Sequence, residues 1–238
     1  MPAEEKKVIT VSGLQVEVVR KGIKNLHLGV YPPDGRVRVA APLAVDNEAV
    51  RMAVVTRLAW IRRQQSKFKQ QPRQSTRQMV TGESHYVLGQ RLRLRVEEQP
   101  GRQGVCLRGK TRLLLTVRPG ASVETKRRLL DEWYRSELKT LAAQWQQNWE
   151  KRLGVKMAAL GVRRMRTRWG SCNPATGRIL LNLELAKTPV QCIEYVFVHE
   201  LAHLRERQHD ARFIRLLDQH LPTWREAKNL LGQHPLGV

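Results

Sequence analysis

The stretch Tyr195-Val196-Phe197-Val198-His199-Glu200-Leu201-Ala202-His203 decides how the rest of the chain is read. It places His-Glu-x-x-His inside a run with helical spacing. Just upstream, Thr188-Pro189-Val190-Gln191 has the pattern of a helix start: Thr188 as N-cap, Pro189 at the first helical position and Gln191 closing a capping box. At 100° per residue with His199 at zero, His203 falls at +40°. Val190, Ile193, Phe197, Leu201 and Leu204 fall between +120° and −160°, so the apolar stripe faces away from the two histidines. On the histidine side lie Cys192, Tyr195 and Val196.

That spacing has a chemical consequence. Residues i and i+4 sit one turn apart, so both imidazoles reach one ion at about 2.0–2.1 Å. Glu200, at +100°, stands beside the ligand axis, where it can accept a proton from a water on the metal. Zinc is the expected ion, because it lowers the pKa of its water towards ~7. With 7 His and 16 Glu in 238 residues, about 0.01 such motifs arise by chance.

A zinc site of this kind needs a third protein ligand and one open position. Glu206 returns to −20° if the helix continues. His209 serves only if the chain leaves the helix before Gln208, and no glycine marks such a break, so the residue geometry leaves both open. His199, His203 and His209 also have metzincin spacing. The turn glycine of those enzymes is replaced by Glu206, and no Met follows Met165 to make a Met-turn, so that assignment fails.

Outward from the helix, Val162–Met165 and Ile179–Leu185 read as strands joined by a turn at Trp169-Gly170-Ser171-Cys172-Asn173-Pro174-Ala175-Thr176-Gly177. Residues 122–153 read as one long helix, whose Trp133, Trp145 and Trp149 are core positions. Thr223-Trp224-Arg225-Glu226 reads as a second capping box, opening a last helix that ends at Gly232.

Toward the N-terminus, short β-branched runs at 8–11, 14–19, 26–30 and 37–39 are followed by a helical stripe of Val50, Val54, Leu58 and Ile61. Gln- and Arg-rich residues 62–78, with Pro72, mix a helix end with an exposed connection. Strands return at 86–88, 92–96, 105–107 and 113–117 and close at Pro119-Gly120. No internal repeat is evident. The expected fold class is α+β, a β-rich N-terminal region with one basic helix at 1–120 followed at 121–238 by a region of mixed strands and helices that carries the His-Glu-x-x-His helix.

Composition narrows the classes. Three cysteines, Cys106, Cys172 and Cys192, are odd in number and lack a C-x-x-C pair, which argues against a disulfide framework and for a reducing, cytoplasmic compartment. No window approaches the ~18 apolar residues of a membrane span, and Met1–Lys7 lacks the apolar stretch of a secretory signal. The net charge is +22, spread as +1 over 1–50, +13 over 51–118 and +8 over 119–238. The basic middle segment suits a solvated basic face, a polyanionic partner such as nucleic acid or nucleotide, or an acidic substrate.

Residues 166–231 resemble the YgjP-like family of predicted metallopeptidases, related to the SprT-like zincins. The resemblance runs through Arg168-Trp169-Gly170-Ser171-Cys172, Ile179-Leu180-Leu181-Asn182, the segment Tyr195–Glu206, His209-Asp210-Ala211-Arg212-Phe213 and Pro222-Thr223-Trp224-Arg225. It extends more loosely to Gly82-Glu83 and Tyr86-Val87-Leu88-Gly89. It implies His209 as third ligand, Glu200 as general base and a zincin-like catalytic half. A zincin arrangement also binds an extended peptide along a sheet edge, for which Ile179–Leu185 is the expected strand. Arg168 and Tyr195 are the candidate donors to a developing oxyanion. Cys172 reads as a packed thiol, and Trp169 and Asn182 as residues shaping the loop and edge. The expected activity is zinc-dependent peptide hydrolysis. The alternatives are a metal-dependent nucleoside triphosphate pyrophosphohydrolase, suggested by Arg163, Arg164, Arg166 and Arg168, and a protease docked on nucleic acid by its basic surface.

Overall fold

Two-residue turns with a glycine set the first hairpins. Ser12-Gly13 joins β1 (Glu5–Val11) to β2 (Leu14–Lys21), with φ of 49° and 78°. Leu88-Gly89 joins β5 (Ser84–Val87) to β6 (Gln90–Glu98), with φ of 50° and 82°. Positive φ at both central residues matches the twist of antiparallel strands, so each turn locks its register. At Gly89 a side chain is also excluded by space, since a Cβ would lie 2.9 Å from Pro189 Cα.

The computed structural model of the protein describes residues 5–31, 34–70 and 77–234, which divide into two compact units, one before residue 74 and one from there to 234. The connection expected around Pro72 lies outside the described residues.

In the first unit, β3 (His27–Tyr31) and β4 (Arg36–Pro42) complete a sheet of order β1-β2-β4-β3. Two helices follow, α1 (Asn47–Val55) and α2 (Leu58–Gln70). The stripe read as one helix is therefore split: the Thr56 hydroxyl donates to Met52 O at 2.9 Å where α1 ends. Val16, Val18, Val37, Val39, Val50, Val54 and Ile61 form the core.

The second unit begins with the same plan. β7 (Gly104–Arg108) and β8 (Arg112–Val117) join β5 and β6 in the order β5-β6-β8-β7. In both sheets the pairings are antiparallel, parallel, antiparallel. A side-chain-capped helix follows each: Asp46 accepts from Ala49 N at 2.7 Å, and Ser122, N-cap of α3 (Val123–Leu153), accepts from Thr125 N at 3.2 Å. Gly13 to Gly89 and Asp46 to Ser122 span the same interval, 76 residues. The chain thus carries a topological repeat that the sequence reading missed, because turn positions and strand alternation recur while side-chain identities do not.

The remaining elements build around α4 (Val190–Ala202). β9 (Ala159–Arg163), β10 (Gly170–Asn173) and β11 (Arg178–Asn182) form a sheet of order β10-β11-β9. A 3₁₀ turn at Leu183–Lys187 leads into α4, and α5 (Ala211–His220) and α6 (Trp224–Leu231) follow. Leu94, Leu115, Leu138, Ile179, Phe197 and Leu217 belong to one core that runs from the β5–β8 sheet through α3 to α4 and α5. The division by contacts accordingly falls at 73/74, whereas the reading from Pro119-Gly120 put a boundary at 120. The β5–β8 sheet buries its apolar face against α3 and the elements after it.

Several local expectations change. Thr188 does not cap α4: its hydroxyl donates to Leu185 O at 2.9 Å and ends the 3₁₀ turn, leaving Pro189 as an N-cap without a side-chain bond. Thr223 precedes α6 without a side-chain cap bond. The turn expected at 169–177 is a hairpin with β10 as its first strand. Most consequentially, β11 is the middle strand, and β10 and β9 are the edges.

Candidate metal centre

α4 is buried on almost every side, and His199 and His203 lie a turn apart on it with ring centroids 4.8 Å apart. The helix ends at Ala202, with His203 as C-cap in the αR region. Arg205 N and Glu206 N both reach back to Ala202 O, at 3.0 and 2.9 Å, so the chain leaves the helix by a tightened last turn that needs no glycine. His203 Nδ1–H donates to Glu206 O at 3.0 Å. Because a carbonyl only accepts, this bond leaves the lone pair of His203 on Nε2.

After that break Asp210 caps α5, accepting from Arg212 N and Phe213 N at 2.9 and 3.1 Å. His209, just before the cap, turns back to the helix. Its Nε2 lies 3.0 Å from His199 Nε2 and 3.1 Å from His203 Nε2. Phe213, buried in the core, packs its ring 4.7–4.9 Å from all three imidazoles. Glu206 is not brought in; its carboxylate faces Arg212 at 3.8 Å.

Three nitrogens aimed at one point fit a metal. In a tetrahedral site with bonds of 2.0–2.1 Å, ligand atoms stand about 3.3 Å apart, close to the 3.0 and 3.1 Å from His209 to its two partners, and the three ligand atoms all lie within 4.8 Å of one another. Burial, the neighbouring His203 and His209, and Lys228 push the His199 imidazole down to about 3, and burial also lowers His203. Both are neutral at pH 7, the form that ligates. His199 Nδ1 is buried with no hydrogen-bond partner among the described residues.

Glu200 is only 6% exposed, and burial pushes its carboxyl up to about 7 while Arg168 pulls it down. Gly170, the first residue of β10, makes room for it: a Cβ there would lie 2.6 Å from Glu200 Oε1 and 2.7 Å from Cγ. The sequence reading did not single out Gly170, because the contact joins a strand to a helix thirty residues on. Tyr195, one turn before His199, is buried and pushed up to about 12 by that burial, so it keeps its proton at neutral pH. Its ring stands edge-on to His199 and stacks on Trp224.

These groups line one cleft of about 880 Å³, with Arg168 at its rim and Cys172 in its wall. The Cys172 thiol is pushed up to about 11 by burial and by Glu200, so it stays protonated. Asn182, fully buried, fixes the approach to β10. Its amide donates to Met165 O and Arg168 O at 2.8 and 2.7 Å, and its carbonyl accepts from Met165 N and Glu184 N, both at 3.2 Å. Arg164 is engaged away from the cleft by Asp131 at 3.0 Å and by buried Glu184, which also holds Lys187 at 2.6 Å. Of the other histidines, His85 is buried 3.4 Å from Glu83, and none of His27, His85, His220 and His234 lines the cleft.

The edge strand β10 faces this cleft. Asn182 N donates to Trp169 O at 2.8 Å, and in an antiparallel pair bonded and non-bonded positions alternate. Gly170–Leu181 and Cys172–Ile179 are therefore the non-bonded pairs. The backbone N–H and C=O groups of Gly170 and Cys172 point outward from the sheet, and both residues line the cleft.

The model of the YgjP-like, metallopeptidase domain family matches residues 24–234. Among solved structures, the metallopeptidase zymogen abylysin of Pyrococcus abyssi matches with 18% identity and a TM-score of 0.36, over 42% of this chain and 99% of its own. The zymogen of Methanocaldococcus jannaschii jannalysin matches with 17% identity and a TM-score of 0.35, over 40% of this chain and 94% of its own. No curated protein matches the sequence. Among the described residues no helix is long and apolar enough to cross a membrane.

Proposed function

We propose that this chain, which belongs to the YgjP-like family of metallopeptidases, cleaves peptide bonds at a zinc ion held by His199, His203 and His209, with Glu200 as general base. The observation that carries the reading is the convergence of three imidazole nitrogens beside a buried carboxyl in an open cleft. Zinc, when bound, supplies the Lewis acid that acidifies water and polarises the scissile carbonyl.

The protein's own groups do the rest. An extended substrate pairs with the outward-facing backbone groups of Gly170 and Cys172, adding a strand to the β10 edge. Glu200 takes the proton of the attacking water and delivers it to the departing amine; a carboxyl poised near neutrality suits both transfers. Tyr195 and Arg168 donate to the oxygen on which negative charge builds. Glu200→Gln keeps the metal and loses hydrolysis; hydrolysis by that variant at the wild-type rate removes Glu200 from the chemistry.

The nucleotide reading loses support from the engagement of Arg164 with Asp131 and Glu184, which leaves that arginine no free fork for phosphate oxygens. A panel of peptides and nucleoside triphosphates, with and without chelator, tests both.

A further inference from the structure

Several basic residues around the cleft are held by carboxylates. Arg164 meets Asp131 and Glu184, Lys187 meets Glu184, Arg212 meets Glu206 and Asp210, and Arg225 meets Asp218. Arg168, Arg207 and Lys228 line the cleft, and among the described residues none of them lies within ion-pair distance of a carboxylate. They come from three separate elements: the loop before β10, the turn between His203 and His209, and α6. The cleft holds one acid among its lining residues, Glu200. Acidic residues are scarce in this chain, 21 against 43 basic ones, and Glu206, Asp210 and Asp218 meet arginines that do not line the cleft.

A cleft walled by several cations concentrates field lines and favours anionic ligands. The outward backbone groups of Gly170 and Cys172 select an extended peptide main chain, so the anions that fit are side-chain carboxylates. Arg207 and Lys228 stand on elements other than the β10 edge, where side chains of a bound strand can reach them. A phosphate ligand would instead call for a nest of backbone amides in a glycine-rich loop, and the lining residues contain no such loop.

We infer that the cleft selects peptides carrying Asp or Glu beside the scissile bond, with Arg207 and Lys228 as the specificity-determining residues. This rests on the peptidase reading above and adds its substrate class.

The test reads binding, not turnover. Zinc-loaded Glu200→Gln protein is titrated with three labelled decapeptides that differ only at the positions flanking the centre, carrying Asp/Glu, Asn/Gln or Lys. The acidic peptide is expected to bind about tenfold more tightly than the amide peptide at low ionic strength, with the advantage shrinking as salt rises to ~0.5 M. Adding Arg207→Gln and Lys228→Gln should bring the two affinities together. Both side chains are exposed, so zinc stoichiometry and melting temperature check that the variant is folded. Indistinguishable affinities for the acidic and amide peptides overturn the inference. So does a nucleoside triphosphate that binds more tightly than the acidic peptide, which would assign the cations to phosphate. Peptide hydrolysis by the wild-type protein is measured separately, so failure here leaves the catalytic reading standing on its own test.

Discussion

Gly170→Ala isolates one contact on which the proposed chemistry depends. The added methyl would lie 2.6 Å from Glu200 Oε1, 2.7 Å from Cγ and 2.9 Å from Cδ, where ordinary contacts begin near 3.4 Å. Neither backbone can yield easily. Gly170 is paired into β10–β11, and Glu200 stands on a helix packed against α3, α5, α6 and that sheet. The side chain of Glu200 must therefore swing by roughly 0.7–1 Å, and a misplacement of that size costs about 10²-fold in rate. Overpacking should cost about 1–3 kcal/mol in stability. The assay is steady-state peptide hydrolysis with zinc binding by titration calorimetry. We expect kcat to fall about a hundredfold with zinc affinity within a factor of a few, since no imidazole is displaced. In a Glu200→Gln background the same change should cost nothing further in rate, because the two alterations act through one group. Full activity of Gly170→Ala would refute the idea that Glu200 works from this position.

Four further outcomes follow from the geometry. The Glu200 carboxyl is raised from 4.5 to about 7 by burial, so the folded metal-free protein binds more protons than the unfolded chain between those values. Its stability should fall by roughly 3 kcal/mol as pH rises through that window, and Glu200→Gln should flatten the slope in urea melts done with chelator present. Asn182→Ala strands two carbonyls and two amides that the side chain now satisfies, and should lower unfolding free energy by at least about 2 kcal/mol in urea titrations. His209→Ala removes a candidate ligand, and zinc titration should show a loss exceeding the roughly 10–100-fold typical of outer-shell changes. Asp210→Ala, which loses the α5 cap and the ion pair with Arg212, should lower the melting temperature and cost less zinc affinity than His209→Ala.

Local patterns in the sequence determined a good deal. The long helix read over 122–153, the strands of both four-stranded sheets, and the phase relation of His199, Glu200 and His203 all follow from periodicity and turn residues acting over a few positions. The order of strands in a sheet depends on contacts between distant segments, and there the reading failed. Ile179–Leu185 was expected at the edge from the zincin-like arrangement that the resemblance implies, yet partners on both sides place β11 in the middle. The 76-residue repeat stayed hidden for a related reason: a shared topology needs matching turns and alternation, not matching side chains.

The third histidine shows the division most clearly. Helical arithmetic kept Glu206 and His209 both open, and only a resemblance favoured His209. The decision belongs to two backbone carbonyls, Ala202 O and Glu206 O, which end the helix and orient His203, and to the Asp210 cap that aims the chain back. The room that Gly170 leaves for Glu200, and the convergence of Arg168, Arg207 and Lys228 on one cleft, are likewise products of packing between segments far apart in the chain. What the sequence by itself determined is which residues share a helix face or a strand. Only the tertiary structure decided which of those faces meet, because that choice is made by burial and hydrogen bonding across tens of residues, where local periodicity carries no information.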